Sequence, residues 1–224
     1  MSQHPQRTDG GEIPRHRIIT GDCVAVMRAM PDASVDFILT DPPYLCRYRD
    51  RTGRTIANDN NADWLVPAFA QMYRLLTPNS YCVSFYGWAN ADLFLAAWRA
   101  AGFRPVGHIV FTKRYASHVG HLRAQHECAY LLTKGRPVHP SQPVPDVIPF
   151  PYTGNVLHPT QKPVEAMLPL IGSLCPMGGT VLDPFCGSGT TLEAARSLGR
   201  HGIGIELDTA HANTARRRLA GNPE

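Results

Sequence analysis

Strand-like runs alternate with helix-like runs along almost the whole chain, and that alternation limits the fold more than any other feature. β-rich stretches fall at 17–20, 35–40, 81–86, 106–112, 127–133, 180–183 and 202–207. Most are separated by segments with helical apolar spacing. The segment 62–76 repeats Leu65, Phe69, Met72 and Leu76, with Asp63 as its candidate cap, and the segment 90–101 stops at Gly102. Residues 163–174 open on Pro163, and 190–198 and 208–220 follow the last two strands. This order predicts an α/β fold: a mostly parallel sheet with helices on both faces. In such sheets ligands bind beyond the carboxyl ends of the strands.

The 224 residues suit one domain over 18–224, preceded by a polar flexible arm at 1–17 that has no apolar core and so is not a secretory leader. No run approaches the roughly 18 apolar residues that span a bilayer. Six prolines between Pro137 and Pro151 predict an extended connector. The six cysteines lie at least 11 residues apart, so no zinc-ligand spacing exists and no metal is expected. That usage suits a reduced, cytoplasmic protein.

The net charge of +4 is unevenly spread. Residues 47–54 hold four arginines against Asp50, and residues 104–136 hold six Lys/Arg against Glu127, with four histidines interleaved. Two basic windows in a near-neutral chain point to a polyanionic partner; solvated loops are the alternative.

Two strands end in unusual loops. At 183–190, Asp183-Pro184-Phe185-Cys186-Gly187-Ser188-Gly189-Thr190 joins a strand to a helix. It is not a phosphate loop, since no Gly-Lys-Ser/Thr follows, and it lacks the third glycine of a dinucleotide fingerprint. Glu206, 23 residues after Asp183, ends the next strand, where an acid can hold the two hydroxyls of a ribose. A nucleoside with a cationic tail fits, and S-adenosylmethionine is one. A tight strand-to-helix turn is the bland alternative.

The other loop is Asp41-Pro42-Pro43-Tyr44. An aromatic exocyclic amine is a poor nucleophile because its lone pair is delocalised into the ring. Two acceptors on its hydrogens favour the pyramidal form, and the Asp41 carboxylate and Pro42 carbonyl can supply them. Pro43 stiffens the loop, and Tyr44 offers a face for an extruded base. A proline-stiffened turn is the alternative here.

Together these loops make the chain resemble the beta class of amino-group DNA methyltransferases, which act on adenine-N6 or cytosine-N4. The resemblance runs from about Ile18 to Leu219. It is carried by Gly21-Asp22-Cys23, Thr40 to Tyr44, Ser84-Phe85-Tyr86-Gly87-Trp88, His158-Pro159-Thr160-Gln161-Lys162-Pro163, Asp183 to Thr190 and Gly204-Ile205-Glu206, in the family's permuted order. It implies a Rossmann-like methyltransferase fold with Asp41, Pro42, Pro43 and Tyr44 at the target base. Asp183, Pro184, Phe185, Gly187, Ser188, Gly189 and Thr190 would surround the methionine part of the cofactor, Glu206 its ribose and Asp22 its adenine. A helix cap is the alternative for Asp22. His158, Thr160, Gln161 and Lys162 would complete that pocket, with Lys162 at the carboxylate; a solvated lysine is the alternative.

DNA is the implied partner. Arg47, Arg49, Arg51 and Arg54 follow the catalytic loop, and Lys113, Arg114 and Arg123 lie in the second basic window. Only about 40 residues are available for target recognition, so the family's tendency to dimerise suggests a homodimer. The expected reaction is adenine-N6 methylation, as in restriction-modification systems. Cytosine-N4 is the alternative, and a DNA-binding protein without activity is the rival class. Transfer to cytosine carbon-5 is excluded, because no Pro-Cys pair supplies its nucleophile.

Overall fold

The computed structural model describes residues 16–49, 53, 55–154, 157 and 160–221. The strands are β1 (His16–Thr20), β2 (Val35–Thr40), β3 (Leu76–Phe85), β4 (Arg104–Thr112), β5 (His118–Val119), β6 (Arg123–Ala124), β7 (His126–Lys134), β8 (Val147–Pro149), β9 (Thr180–Asp183) and β10 (His201–Glu206). The helices are α1 (Cys23–Arg28), α2 (Leu65–Leu75), α3 (Ala91–Ala101), α4 (Val164–Leu174), α5 (Thr190–Ser197) and α6 (Thr209–Leu219). Eight strands form one sheet in the order β1-β10-β9-β2-β3-β7-β4-β8, and β5 pairs only with β6. Within the large sheet β7 runs antiparallel to both neighbours, and every other neighbouring pair is parallel.

Both faces of the sheet are covered. On β2, Ile38 joins a core built with Met27, Phe69, Met72 and Trp98 from α1, α2 and α3. Phe37 and Leu39, pointing the other way, join a core with Met167, Leu170 and Ile171 of α4 and Ala194 and Ala195 of α5. That alternation explains why β2 is apolar on both sides, as a central parallel strand must be. Among the described residues no helix is long and apolar enough to cross a membrane.

Four expectations need correction. The strand expected over 17–20 begins one residue earlier, so His16, placed in the arm, pairs with Gly202 beside Arg17 and Ile203; residues 1–15 lie outside the described residues. Asp63 does not cap α2: the cap position is Trp64, whose indole N–H donates to the carbonyls of Asn58 and Asn61. The strand expected over 81–86 begins earlier, at Leu76 directly after α2; a register shift opposite β2 absorbs Pro78 and Asn79, with Asn79 at φ 58°. The proline-rich connector contains β8, which pairs with β4 at the sheet edge, where a strand tolerates proline.

Candidate active site

Strands β2 and β9 lie side by side and parallel, with Phe37 opposite Val181 and Ile38 opposite Leu182. Their carboxyl ends therefore open on one edge of the sheet. Thr40 at the end of β2 donates its hydroxyl to Asp183 Oδ1 at the end of β9, 3.0 Å away. The segments 41–44 and 183–190, about 140 residues apart in sequence, start from adjacent strand tips.

The glycine loop is tightly turned and largely buried. Gly187 (φ 50°) and Gly189 (φ 82°) adopt left-handed conformations. A Cβ on Gly189 would lie 3.1 Å from Ala215 Cβ, so α6 packs close behind the loop. The Gly187 N–H donates to Glu206 Oε2 (2.9 Å) and the Asp208 N–H to Glu206 Oε1 (2.8 Å), which fixes that carboxylate at the tip of β10. Asp22, at the tip of β1, caps α1 through Oδ1 and the Ala25 N–H (2.9 Å). Three neighbouring strand ends thus carry Asp183, Glu206 and Asp22 in a row. The cap leaves acceptor sites on Asp22 open, because a carboxylate has about four of them.

Asp183 is only 3% exposed. Burial pushes its carboxyl up to about 7, against the pull of the Thr191 hydroxyl, the Phe185 N–H and the Thr40 hydroxyl. Among the described residues no lysine or arginine forms an ion pair with it. Pro184 is buried, and Phe185 packs edge-on against Trp64 with ring centres 5.0 Å apart. Ser188 and Thr190 serve the loop itself. Arg218 donates to the Ser188 carbonyl and the Thr190 hydroxyl, and that hydroxyl donates to the Lys162 carbonyl. Gln161 ties down the preceding turn, accepting from the Leu157 N–H and the Thr153 hydroxyl. Thr160 is half-buried in that turn, and His158 lies outside the described residues.

The catalytic loop carries a charge network that the sequence did not reveal. Asp41 Oδ1 accepts from the Tyr44 hydroxyl (2.8 Å), and Asp41 Oδ2 pairs with Lys162 Nζ (3.0 Å). Lys162 also binds Glu127 Oε2 at 2.6 Å, and Lys113 binds Glu127 Oε1 at 2.6 Å. Burial opposes the charge on Glu127, but Lys162 and Lys113 outweigh it and hold the carboxyl down to about 2. Burial likewise opposes the Lys162 ammonium, and Asp41 and Glu127 reverse that and raise its pKa. Asp41 is pushed above its ordinary value by burial, which exceeds the opposing pull of Lys162.

Three of the expected site residues have partners within the chain. Lys162, expected at the cofactor carboxylate, is 8% exposed and pairs with Asp41 and Glu127. Lys113, expected on DNA, is also 8% exposed and its charge is met by Glu127. Tyr44, expected as a stacking face, has its hydroxyl on Asp41 and Glu127 and the Lys162 ammonium 5.3 Å from its ring centre. Pro42 and Pro43 are buried. Glu127, as the lone acid of a basic window, was the available signal for this network. Gly87 and Asn90 complete the support. A Cβ on Gly87 would meet the Tyr44 carbonyl at 2.7 Å, and Asn90 Nδ2 donates to that oxygen at 3.0 Å.

The segment after Tyr44 folds around the buried Asp59 carboxylate, which accepts from the Cys46 and Tyr48 N–H groups. Arg47 and Arg49 lie exposed along it, and Arg114 and Arg123 are exposed in the second basic window; Arg51 and Arg54 lie outside the described residues. No cluster of His, Cys, Asp or Glu among the described residues could hold a metal ion.

Known proteins resemble this chain in sequence and fold. The protein YubD of Escherichia coli K12, named as a methylase, is 53% identical over 204 residues, covering 91% of this chain and 90% of its own. The crystal structure of TTHA0409 from Thermus thermophilus, described as a DNA modification methylase complexed with S-adenosyl-L-methionine, is similar with a TM-score of 0.69. It is 25% identical and covers 93% of this chain and 96% of its own. The cytosine-N4-specific PvuII DNA methyltransferase shares the fold at a TM-score of 0.74 and 15% identity, over 91% of this chain and 86% of its own. The profile of a family described as DNA methylase, the N6/N4 methyltransferases, matches residues 35–154 and 150–217. With that coverage, the chain belongs to the N6/N4 family of DNA methyltransferases.

Proposed function

We propose that this DNA methyltransferase transfers the methyl group of S-adenosylmethionine to the exocyclic N6 of adenine, at the joined tips of β2 and β9. The observation that carries this reading is the 3.0 Å bond from Thr40 to Asp183, which sets the amine-binding loop beside the glycine loop. The residues fit the cofactor. A buried carboxylate whose described partners are only hydroxyls and an N–H matches a cationic tail, and a tethered glutamate at the next strand tip matches a ribose. When bound, S-adenosylmethionine supplies an electrophilic methyl on a positively charged sulfur.

The chain's own residues then act on the amine. Tyr44 and Lys162 take two of the roughly four acceptor sites of the Asp41 carboxylate and leave two. Asp41 accepts one amino hydrogen and the Pro42 carbonyl the other, which frees the lone pair for in-line attack. Asp183 and Glu206 would hold the cofactor with its sulfonium as the leaving group, which would keep the electrons of the bond to the methyl. The methylated nitrogen then gives up one proton, which the Asp41 carboxylate, made more basic by burial, is placed to receive.

The aspartate ahead of the two prolines favours adenine, following the habit of the family this chain resembles. The fold does not choose, since a cytosine-N4-specific enzyme shares it. Mass spectrometry of nucleosides from DNA methylated by the purified protein decides: N6-methyladenine supports the proposal, and N4-methylcytosine as the sole product overturns it.

Cofactor binding should depend on pH through Asp183. Its free carboxyl sits at about 7, and a bound cation lowers that value. Affinity is therefore full above about pH 7 and falls as the pH drops, by up to about tenfold per unit. Titration calorimetry from about pH 5.5 to 8.5 checks this, and a flat profile would remove Asp183 from the cationic tail. DNA binding should weaken steeply with salt, and Arg49→Ala should lower the slope of log K against log salt by about one. An unchanged slope would take Arg49 off the phosphates.

A further inference from the structure

The hairpin of β5 and β6 stands outside both cores. His118 pairs with Ala124 and Val119 with Arg123, and the turn closes with the Gly120 N–H on the Leu122 carbonyl at 3.1 Å. Leu122 at its tip is 83% exposed and Val119 beside it 68%. Single exposed apolar residues are ordinary on protein surfaces. These two differ in their mounting and in their company.

The mounting is firm. At the foot of the hairpin the Lys113 N–H donates to the Gln125 carbonyl (2.8 Å), and the Ser117 N–H and hydroxyl both donate to the Ala124 carbonyl (2.9 and 3.2 Å). Lys113 and Glu127, which flank the hairpin in sequence, are themselves ion-paired, and Glu127 reaches Lys162 beside Asp41. The hairpin therefore rises from the catalytic edge of the sheet. The company is basic. Arg123, His118 and His121 are exposed near the tip and Arg114 is exposed near the foot, while Glu127, the one acid of residues 104–136, is engaged by two lysines. A basic collar around an apolar point suits a partner that is a polyanion outside and apolar within, which describes stacked base pairs.

Resting on the reading of DNA as substrate, we propose that the 118–124 hairpin is a wedge whose Leu122 enters the base stack and fills the space left by the extruded target. Apolar side chains inserted between base steps open duplexes in this way, and extrusion costs least where the target is mispaired. Val119 would line the inserted edge, and the arginines would hold the flanking phosphates.

The test uses the full chain and the site obtained by sequencing DNA methylated by the wild-type protein. Methyl transfer is timed in single turnover on the paired duplex and on the same duplex with a mismatch at the target. Leu122→Ala should slow transfer about tenfold on the paired duplex and recover most of the rate on the mismatched one. Leu122→Phe should stay near wild type on both. Equal loss on both substrates, or no loss on either, overturns the wedge. So does a Leu122→Ala effect that appears only as a changed oligomeric state in sedimentation, which would assign the tip to a second copy of the chain. Failure of the wild-type protein to methylate any DNA would instead sink the substrate reading, and it shows before a variant is compared.

Discussion

Asp41→Ala is expected to abolish methyl transfer while leaving cofactor affinity within about threefold of wild type. The lost acceptor acts only where positive charge develops on the attacking nitrogen. Removing a group of that kind costs on the order of a hundred- to a thousandfold in turnover. Cofactor affinity survives because the side chains at the tips of β9 and β10 are held by their own partners. Glu206 is fixed by the Gly187 and Asp208 N–H groups, and Asp183 keeps the Phe185 N–H and Thr40 hydroxyl. The substitution also leaves Lys162 a counter-charge, since Glu127 remains 2.6 Å from its ammonium. The variant should therefore fold, which circular dichroism would confirm. Single-turnover transfer of a labelled methyl group gives the decisive number. A rate within about tenfold of wild type would remove Asp41 from the reaction.

Where function was legible in the sequence, the signal was local. Asp41 to Tyr44 and Asp183 to Thr190 are short runs whose chemistry can be argued residue by residue, and the alternation of strands and helices implied that both sit at strand ends. Their adjacency came from sheet order: β9 enters beside β2 although most of the chain lies between them. Local signals failed where partners are distant. In the sequence, Lys162 stands in the His158–Pro163 motif, where the resemblance puts it at the cofactor carboxylate. In the fold its partners are Asp41 and Glu127, 121 and 35 residues away. Glu127 is delivered by β7, which runs antiparallel beside β3 with Ala129 opposite Phe85. No periodicity in one strand states which strand lies next to it. Asp63 failed for the opposite reason: a good capping residue stood one position from a tryptophan whose indole closes the same turn with two carbonyl bonds.

Glu127 is where the second large effect is expected, because it divides two buried ammonium groups between its oxygens. Glu127→Gln keeps the shape and removes the charge, leaving Lys113 and Lys162 with Asp41 as the remaining carboxylate of the network. Breaking a buried pair on one side costs about 3–5 kcal/mol, since the abandoned charge stays desolvated. Urea unfolding at about pH 7 should show a loss of that order. Lys113→Met added to Glu127→Gln should recover part of it, as the second change removes an unpaired cation; purely additive losses would show that the two do not act together. The pH dependence has a definite sign. The Glu127 carboxyl lies at about 2 in the folded protein against an ordinary 4.5, so its contribution is full above about pH 4.5 and disappears as the pH falls toward 2. The stability gap between wild type and Glu127→Gln should narrow across that window. Activity supplies a readout that loss of stability alone would not move. Glu127 raises the Asp41 pKa and Lys162 lowers it, so removing the Glu127 charge should shift the acid limb of the turnover profile to lower pH. An acid limb that stays in place would confine Glu127 to holding the fold, and one that moves down would make it the residue that sets the basicity of Asp41.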